Sequence, residues 1–210
     1  MVSPVRDQIV NAALDRFHAL GYSACGVQDI VDKAGVPKGS FYNYFKAKEL
    51  LALEVVDLYA KGSRREMLTD ASVAPIERLR RHFEFLASRY AGFGYDKGCL
   101  LGNLAAEASD GMPLLRKALG ESLARWTAAV AGVIKEGQGT GAIAPEIHAE
   151  ELARFLVNSW EGAVVRMKIV NSRRPLDDFF AIAFPILGAL KQQPQSTAVQ
   201  RKASVKGRKP

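Results

Sequence analysis

Apolar residues recur at helical spacing from the start of the chain. Ile9, Ala13 and Phe17 fall four apart, with Val10, Leu14 and Leu20 beside them, which predicts an amphipathic helix. Ser3 and Pro4 supply a cap and a first-turn proline, and Gly21 ends the stripe. Val27, Ile30, Val31 and Ala34 predict a short second helix over 28–34, closed by Gly35. A third follows Pro37 through Phe41, Tyr42 and Phe45, and a fourth starts near Lys48 with Leu51, Val55 and Leu58 on its apolar side.

Beyond Pro75 the pattern stays helical. Ile76, Leu79, Phe83 and Leu86 form one stripe before the glycines at 92 and 94, and residues 100–108 form a short apolar element. Pro113 is expected to open a long helix reaching Ile134 and ended by the Gly-Gln-Gly-Thr-Gly stretch at 137–141. Pro145 is expected to open another, over about 146–171, and Pro175 the last, over 175–190. No segment alternates with the period of two that a strand requires, and no repeat is visible. The chain therefore reads as all-α with about nine helices: short and tightly turned over the first ~50 residues, longer afterwards, with the boundary in or after the fourth helix.

Composition narrows the class. The 210 residues are 48% hydrophobic and 24% charged, ordinary globular usage with enough length to bury roughly 70% of the unfolded surface. The longest uncharged apolar run, residues 179–190, contains a proline and falls short of the ~20 residues that span a bilayer. No signal-peptide pattern is seen at the N-terminus. Cys25 and Cys99 are too few for a disulfide framework, so a reducing, cytoplasmic setting is expected. The net charge of +7 is concentrated at one end: residues 191–210 hold six Lys and Arg and no acid, while 49–190 are close to neutral. That tail has too few apolar residues to fold and is read as disordered.

The informative segment is 26–48. A short helix, the Gly35-Val36 turn and a second short helix make the helix-turn-helix pattern, about 26–45, in which the second helix enters the DNA major groove. Gly35 suits a positive φ, Val36 plugs the small core, and Pro37 sets the entry of the second helix. Lys38, Ser40, Tyr42, Asn43 and Tyr44 offer donors to bases and phosphates, while Phe41 and Phe45 face inward.

Residues 34–49, Ala-Gly-Val-Pro-Lys-Gly-Ser-Phe-Tyr-Asn-Tyr-Phe-Lys-Ala-Lys-Glu, resemble the signature of the tetracycline-repressor (TetR) family. Ala12-Ala13, Phe17 and Gly21-Tyr22 fit as well, and the likeness covers about residues 5–65. The resemblance implies a DNA-binding head (1–48), a ligand-binding and dimerisation domain (49–190) and the basic tail (191–210). It implies a homodimeric repressor, without enzymatic activity or cofactor, whose last two helices pair across a two-fold axis. A small-molecule effector bound in the C-terminal core would spread the two heads and release a palindromic operator on double-stranded DNA. Carried over by position, Lys38, Gly39, Ser40 and Asn43 lie near base edges; Tyr42, Tyr44 and Lys48 hold phosphates; and Gln28 meets the backbone. Cys25-Gly26 departs from the family, which more often has Thr or Ser there as a helix cap.

The remaining candidates concern the effector. Phe83, Leu86, Tyr90, Leu104, Met112, Leu115, Trp126, Val130, Trp160, Val164 and Met167 fall on stripes facing the C-terminal core, and the two tryptophans could wall a cavity. Glu107, Glu161 and Arg166 interrupt apolar helices and could line it. Cys99 opens the short helix after Gly98, where the helix dipole is expected to favour the thiolate. Lys97-Gly98-Cys99-Leu100 and Met167-Lys168-Ile169 are similar to a branch of the family that senses electrophiles through a cysteine tuned by a nearby lysine, here Lys168. The three histidines, His18, His82 and His148, lack metal-ligand spacing. A helical-bundle enzyme or a carrier for a small apolar ligand is the rival reading; it has no paired acid and base to support it and leaves 34–49 unexplained.

Overall fold

In the computed structural model, which describes residues 4–109 and 111–189, nine α-helices and one 3-10 segment are present and no strand occurs among the described residues. The helices are α1 (Pro4–Leu20), α2 (Val27–Ala34), α3 (Lys38–Tyr44), α4 (Lys48–Lys61), α5 (Pro75–Gly92), α6 (Leu100–Glu107), α7 (Pro113–Gly139), α8 (Ala149–Val170) and α9 (Arg174–Ala189), with the 3-10 segment Arg65–Thr69 after α4. Ser3 and the basic tail 191–210 lie outside the described residues. None of the described helices is long and apolar enough to cross a membrane.

The head, α1 to α3, closes around Ile9, Ala13 and Phe17 of α1, Ile30 and Val31 of α2, and Phe41 and Phe45, all buried. Its turn is built as the sequence suggests: Gly35 has φ +67°, the Gly35 amide donates to the Asp32 carbonyl, and the Val36 amide reaches back to Val31 at 3.1 Å. Those two bonds satisfy carbonyls that the end of α2 would otherwise leave open. The body stacks α5, α7, α8 and α9 around an aromatic cluster in which Phe83 meets Trp160 at 5.0 Å and Phe179 at 5.1 Å between ring centroids.

One expected boundary holds and one moves. α7 ends inside the glycine stretch, at Gly139. A Cβ on Gly137 would stand 2.8 Å from Cδ1 of Ile143, so the glycine seats the returning chain, whose Ala142 and Ile143 amides both donate to the Gly137 carbonyl. The turn itself comes at Gly141, with φ +70°. Pro145 does not start α8, which begins at Ala149. The intervening turn is held by the Gln138 side chain, whose amide donates to the Ala144 and Ile147 carbonyls. The Arg65–Thr69 segment was not legible as an element. Its loop is closed by buried Arg78, which donates to the carbonyls of Leu68 and Val73 and forks onto the Glu136 carboxylate at 2.8 and 3.0 Å.

Head and body meet along α4 and α6. Glu49, in the first turn of α4, caps α7 by accepting the Leu114 and Leu115 amides, each at 3.0 Å. Glu107, at the end of α6, accepts the amides of Tyr22 (3.1 Å) and Ser23 (2.7 Å) in the α1–α2 turn. His18 of α1 is bonded through Nε2 to the Gly98 carbonyl at 2.9 Å, one residue before Cys99. The short element α6 is thus fastened to the head at both ends.

The turn at Gly35 gives a clean test, because nothing lies within 4 Å of a Cβ added there and only the backbone conformation is at stake. Gly35→Ala is expected to lower stability by about 1–2 kcal/mol, read as a shift in the urea midpoint with an unchanged slope.

Candidate nucleic-acid interface and effector cavity

The polar residues of α3 share its outer face. Lys38, Gly39, Tyr42, Asn43 and Tyr44 are exposed and Ser40 is half-buried, while Phe41 and Phe45 anchor the other side. Tyr42 stands edge-on to Phe41 at 5.1 Å yet remains 57% exposed, so it belongs to the surface rather than the core. Gln28 is exposed at the start of α2, its amide bonded to Asp32 at 2.7 Å. The Thr or Ser cap missing from this helix is partly replaced by Asp29, which accepts the Gly26 amide at 2.7 Å.

Lys48, expected to hold a phosphate, is half-buried against the α1–α2 turn. Its ammonium donates to the carbonyls of Tyr22 and Cys25, both at 2.8 Å, and lies 4.2 Å from the centre of the Tyr22 ring. Those contacts tie the α1–α2 turn to α4 and use two of the three ammonium donors.

A cavity lies inside the body. Its walls are Tyr59 and Ser63, Arg65, Leu86 and Tyr90 of α5, Cys99 and Leu101, Trp126 of α7 and Glu161 of α8, and its volume of about 20 Å³ holds a single water molecule. Of the expected pocket residues, Leu86, Tyr90 and Trp126 line it. Phe83, Leu104, Leu115, Val130, Trp160, Val164 and Met167 are buried but do not reach its wall, and Met112 is half-buried at the start of α7. Of the three charged candidates Glu161 lines it, whereas Glu107 belongs to the head seam and Arg166 is exposed. Tyr59, Ser63, Arg65 and Leu101 were missed. Arg65 lies in the 3-10 segment, which carries no helical stripe, and Leu101 adjoins the singled-out Cys99.

The polar groups around this cavity are poorly matched. Arg65 donates to the carbonyl and hydroxyl of Ser122, at 3.0 and 3.2 Å, leaving its Nε without a partner. Both oxygens of Glu161 are buried and meet no donor with hydrogen-bond geometry, and burial pushes that carboxyl up to about 7. Cys99 is the N-cap of α6, yet its thiol is pushed up to about 12 by burial and by facing Glu161. The expected thiolate is therefore absent: desolvation and the carboxylate outweigh the helix dipole. Lys168 is exposed, its stem over Gly98 and its ammonium 3.4 Å from Asn103. His82, which accepts the Trp126 indole N–H at 2.9 Å, is pushed down to about 4 by burial.

The sequence profile of bacterial regulatory proteins of the tetR family matches residues 9–55, and that of the tetracyclin repressor-like C-terminal domain matches 75–183. The chain is 38% identical over 188 residues to the HTH-type transcriptional repressor DhaR of Mycobacterium sp. (strain GP1), covering 88% of this chain and 93% of DhaR. It is 33% identical over 180 residues to the transcriptional regulator AcuR of Cereibacter sphaeroides, covering 84% and 82%. The crystal structure of a regulatory protein TetR from Rhodobacter sphaeroides superposes with a TM-score of 0.80 at 32% identity, over 88% of this chain and 99% of that one.

Two buried titrations oppose each other. Glu161 binds its proton more tightly folded than unfolded, so its contribution to stability falls as pH rises from the ordinary carboxyl range through about 7. His82 binds its proton less tightly folded, so its contribution falls as pH drops from the ordinary imidazole range towards about 4. Glu161→Gln is expected to raise the melting temperature more at pH 8.5 than at pH 5, and His82→Gln to lessen the loss on acidification. Parallel pH profiles for parent and variants would contradict this.

Proposed function

Because the chain belongs to the tetracycline-repressor family of bacterial DNA-binding transcriptional regulators, we propose that it is a cytoplasmic homodimeric repressor. An effector entering the Cys99–Glu161 cavity releases it from a palindromic operator. The observation that carries this reading is α6, which begins on the cavity at Cys99 and is fastened to the head at both ends, through Gly98 to His18 and through Glu107 to Tyr22 and Ser23. A cavity with room for one water cannot admit an organic molecule without moving a wall, and Leu101 puts α6 in that wall. Displaced α6 carries the α1–α2 turn with it. The effector must bind the displaced arrangement better than the resting one, otherwise the equilibrium does not move.

On the DNA side, Lys38, Gly39, Ser40 and Asn43 read base edges, and Tyr42, Tyr44 and Gln28 hold the backbone. Half-sites about one helical turn apart, ~34 Å or slightly more, fit two such heads on a dyad. The dyad itself is supported by the outer faces of the last two helices, where Phe155, Val165, Ile169, Ile182 and Ile186 are exposed, Ile169 to 79%. Isoleucines this exposed on adjoining helices fit a four-helix interface between two copies.

A mobility-shift titration on the DNA immediately upstream of the encoding gene tests the reading. Asn43→Ala is expected to cost roughly tenfold or more on the preferred operator while leaving unrelated DNA unaffected. Lys38→Ala and Tyr44→Phe change affinity too; if all three variants bind as the parent does, α3 is not the reading helix. Sedimentation equilibrium tests the dyad: Ile169→Glu with Ile182→Glu should yield a folded monomer that no longer shifts the operator.

A further inference from the structure

We propose that Arg65 and Glu161 make the cavity a reversible binding site for a short, uncharged molecule with N–H donors at one end and a carbonyl at the other, as in a urea or a primary amide. The proposal rests on the cavity being the effector site. It starts from what the two side chains lack. Both Glu161 oxygens are buried without a hydrogen-bond partner, and so is Arg65 Nε. Leaving a charged group unmet in the interior is costly, and a ligand that supplies the missing partners removes that cost. The Cys99 thiol beside Glu161 does not meet the need: S–H is a weak donor, and the carboxylate stays unmatched next to it. Arg65 gives two other N–H groups to the Ser122 carbonyl and hydroxyl, which leaves Nε open to an acceptor. Gly102 in α6 makes room for the carboxylate, since a Cβ there would stand 2.7 Å from Oε2 of Glu161.

The rest of the wall decides the class of ligand. One acid and one base border the same small cavity, so a ligand of either net charge would leave one of them facing a like charge. Leu86, Leu101, Tyr90 and Trp126 surround them with apolar and aromatic surface, where an ion would lose its hydration with nothing to replace it. An uncharged group with both donors and an acceptor remains. A urea fits best. Its two N–H bonds directed away from the carbonyl run parallel and meet both oxygens of a carboxylate as a fork, as a guanidinium does. Its oxygen points the opposite way, for Arg65. A primary amide supplies one such N–H and the same oxygen. The volume of about 20 Å³ restricts the ligand to a few heavy atoms.

Arg65 also borders the open groove between α4 and α7, together with Lys61, Glu66 and Arg125. The same side chain thus separates cavity from groove, and its release from Ser122 opens a way in. A molecule seated on Glu161 lies against α6, through Gly102 and Leu101. Glu161 offers both oxygens as acceptors only when ionised, and burial pushes it up to about 7. Binding of N–H donors therefore strengthens as pH rises through about 7 and levels above it. The other groups facing the carboxylate do not titrate with it. Cys99 of α6 is pushed up to about 12, Tyr59 of α4 and Tyr90 of α5 are pushed up from the ordinary phenol range, and Arg65 keeps its charge. His82, bonded to Trp126, is pushed down to about 4 and stays neutral.

The test is an NMR titration of the full chain with N-methylurea, up to about 50 mM and well below denaturing strength, between pH 5.5 and 8.5. It follows the indole N–H signals of Trp126, in the wall, and Trp160. Acetone, methylammonium and acetate serve as probes of similar size. N-methylurea is expected to bind about 30-fold more weakly at pH 5.5 than at pH 8.5. At pH 8.5 it should bind about tenfold or more tightly than each of the other three. Glu161→Gln should weaken it by about tenfold or more and flatten the pH profile. Should that variant fail to fold, Arg65→Lys, which keeps the charge and loses the planar fork, should weaken it similarly while keeping the profile. Acetone binding as well as N-methylurea overturns the role of the N–H donors, and tighter methylammonium or acetate overturns the uncharged class. Absence of N-methylurea binding overturns the site and leaves the cavity's effector role standing. Binding with the expected profile that leaves the operator shift unchanged upholds the site and removes the effector reading beneath it.

Discussion

The Glu107 carboxylate closing over the α1–α2 turn is the joint on which the rest of the molecule depends. It takes up two backbone amides that no helix satisfies, one bond part-buried and the other exposed. Gly21 makes the approach possible: its φ of +82° turns the chain, and any side chain there would collide with the carboxylate. From the other side, Lys48 holds the carbonyls of the same turn. The turn is gripped through both its amides and its carbonyls, which ties it to α6 and α4 at once and is the coupling that the proposed mechanism uses.

The head was readable from the sequence because its constraints are local. A glycine in a left-handed turn, a proline at a helix entry and two inward phenylalanines four residues apart act within a few residues of one another. The body was readable only as a set of helical faces. Periodicity shows that Phe83, Trp126 and Trp160 point inward, but not which of them leaves a gap, because that depends on how several helices stack. The same limit hid the roles of Glu107, Lys48 and Arg65, whose partners lie far along the chain. It also hid the second use of Gly137, against which Ile143 packs from beyond the turn. Cys99 shows the same contrast, since the helix start is visible locally while Glu161 arrives from α8.

The unmatched polar atoms are not spread evenly. Arg65 and Glu161, with three such atoms, line the cavity; His82 Nδ1 and Trp160 Nε1 belong to residues packed around Phe83; Arg16 Nε lies apart, in α1 of the head. Other buried polar groups are used: Arg78 satisfies two carbonyls and a carboxylate, and Glu49 caps a helix from a neighbouring element. Most of that cost in stability therefore falls around the cavity, beside the wall that the proposed mechanism displaces.

With the proposed pairing through the exposed isoleucines of α8 and α9, such a regulator would also respond steeply to its own abundance. When protomers are scarce enough to separate, the species that spans two half-sites forms in proportion to the square of their number. Halving the supply of chain then leaves about a quarter of the operator-competent form. Control through that pairing would be steeper in gene dosage than a single-chain binder could achieve, so that a modest fall in synthesis would open the operator without any effector.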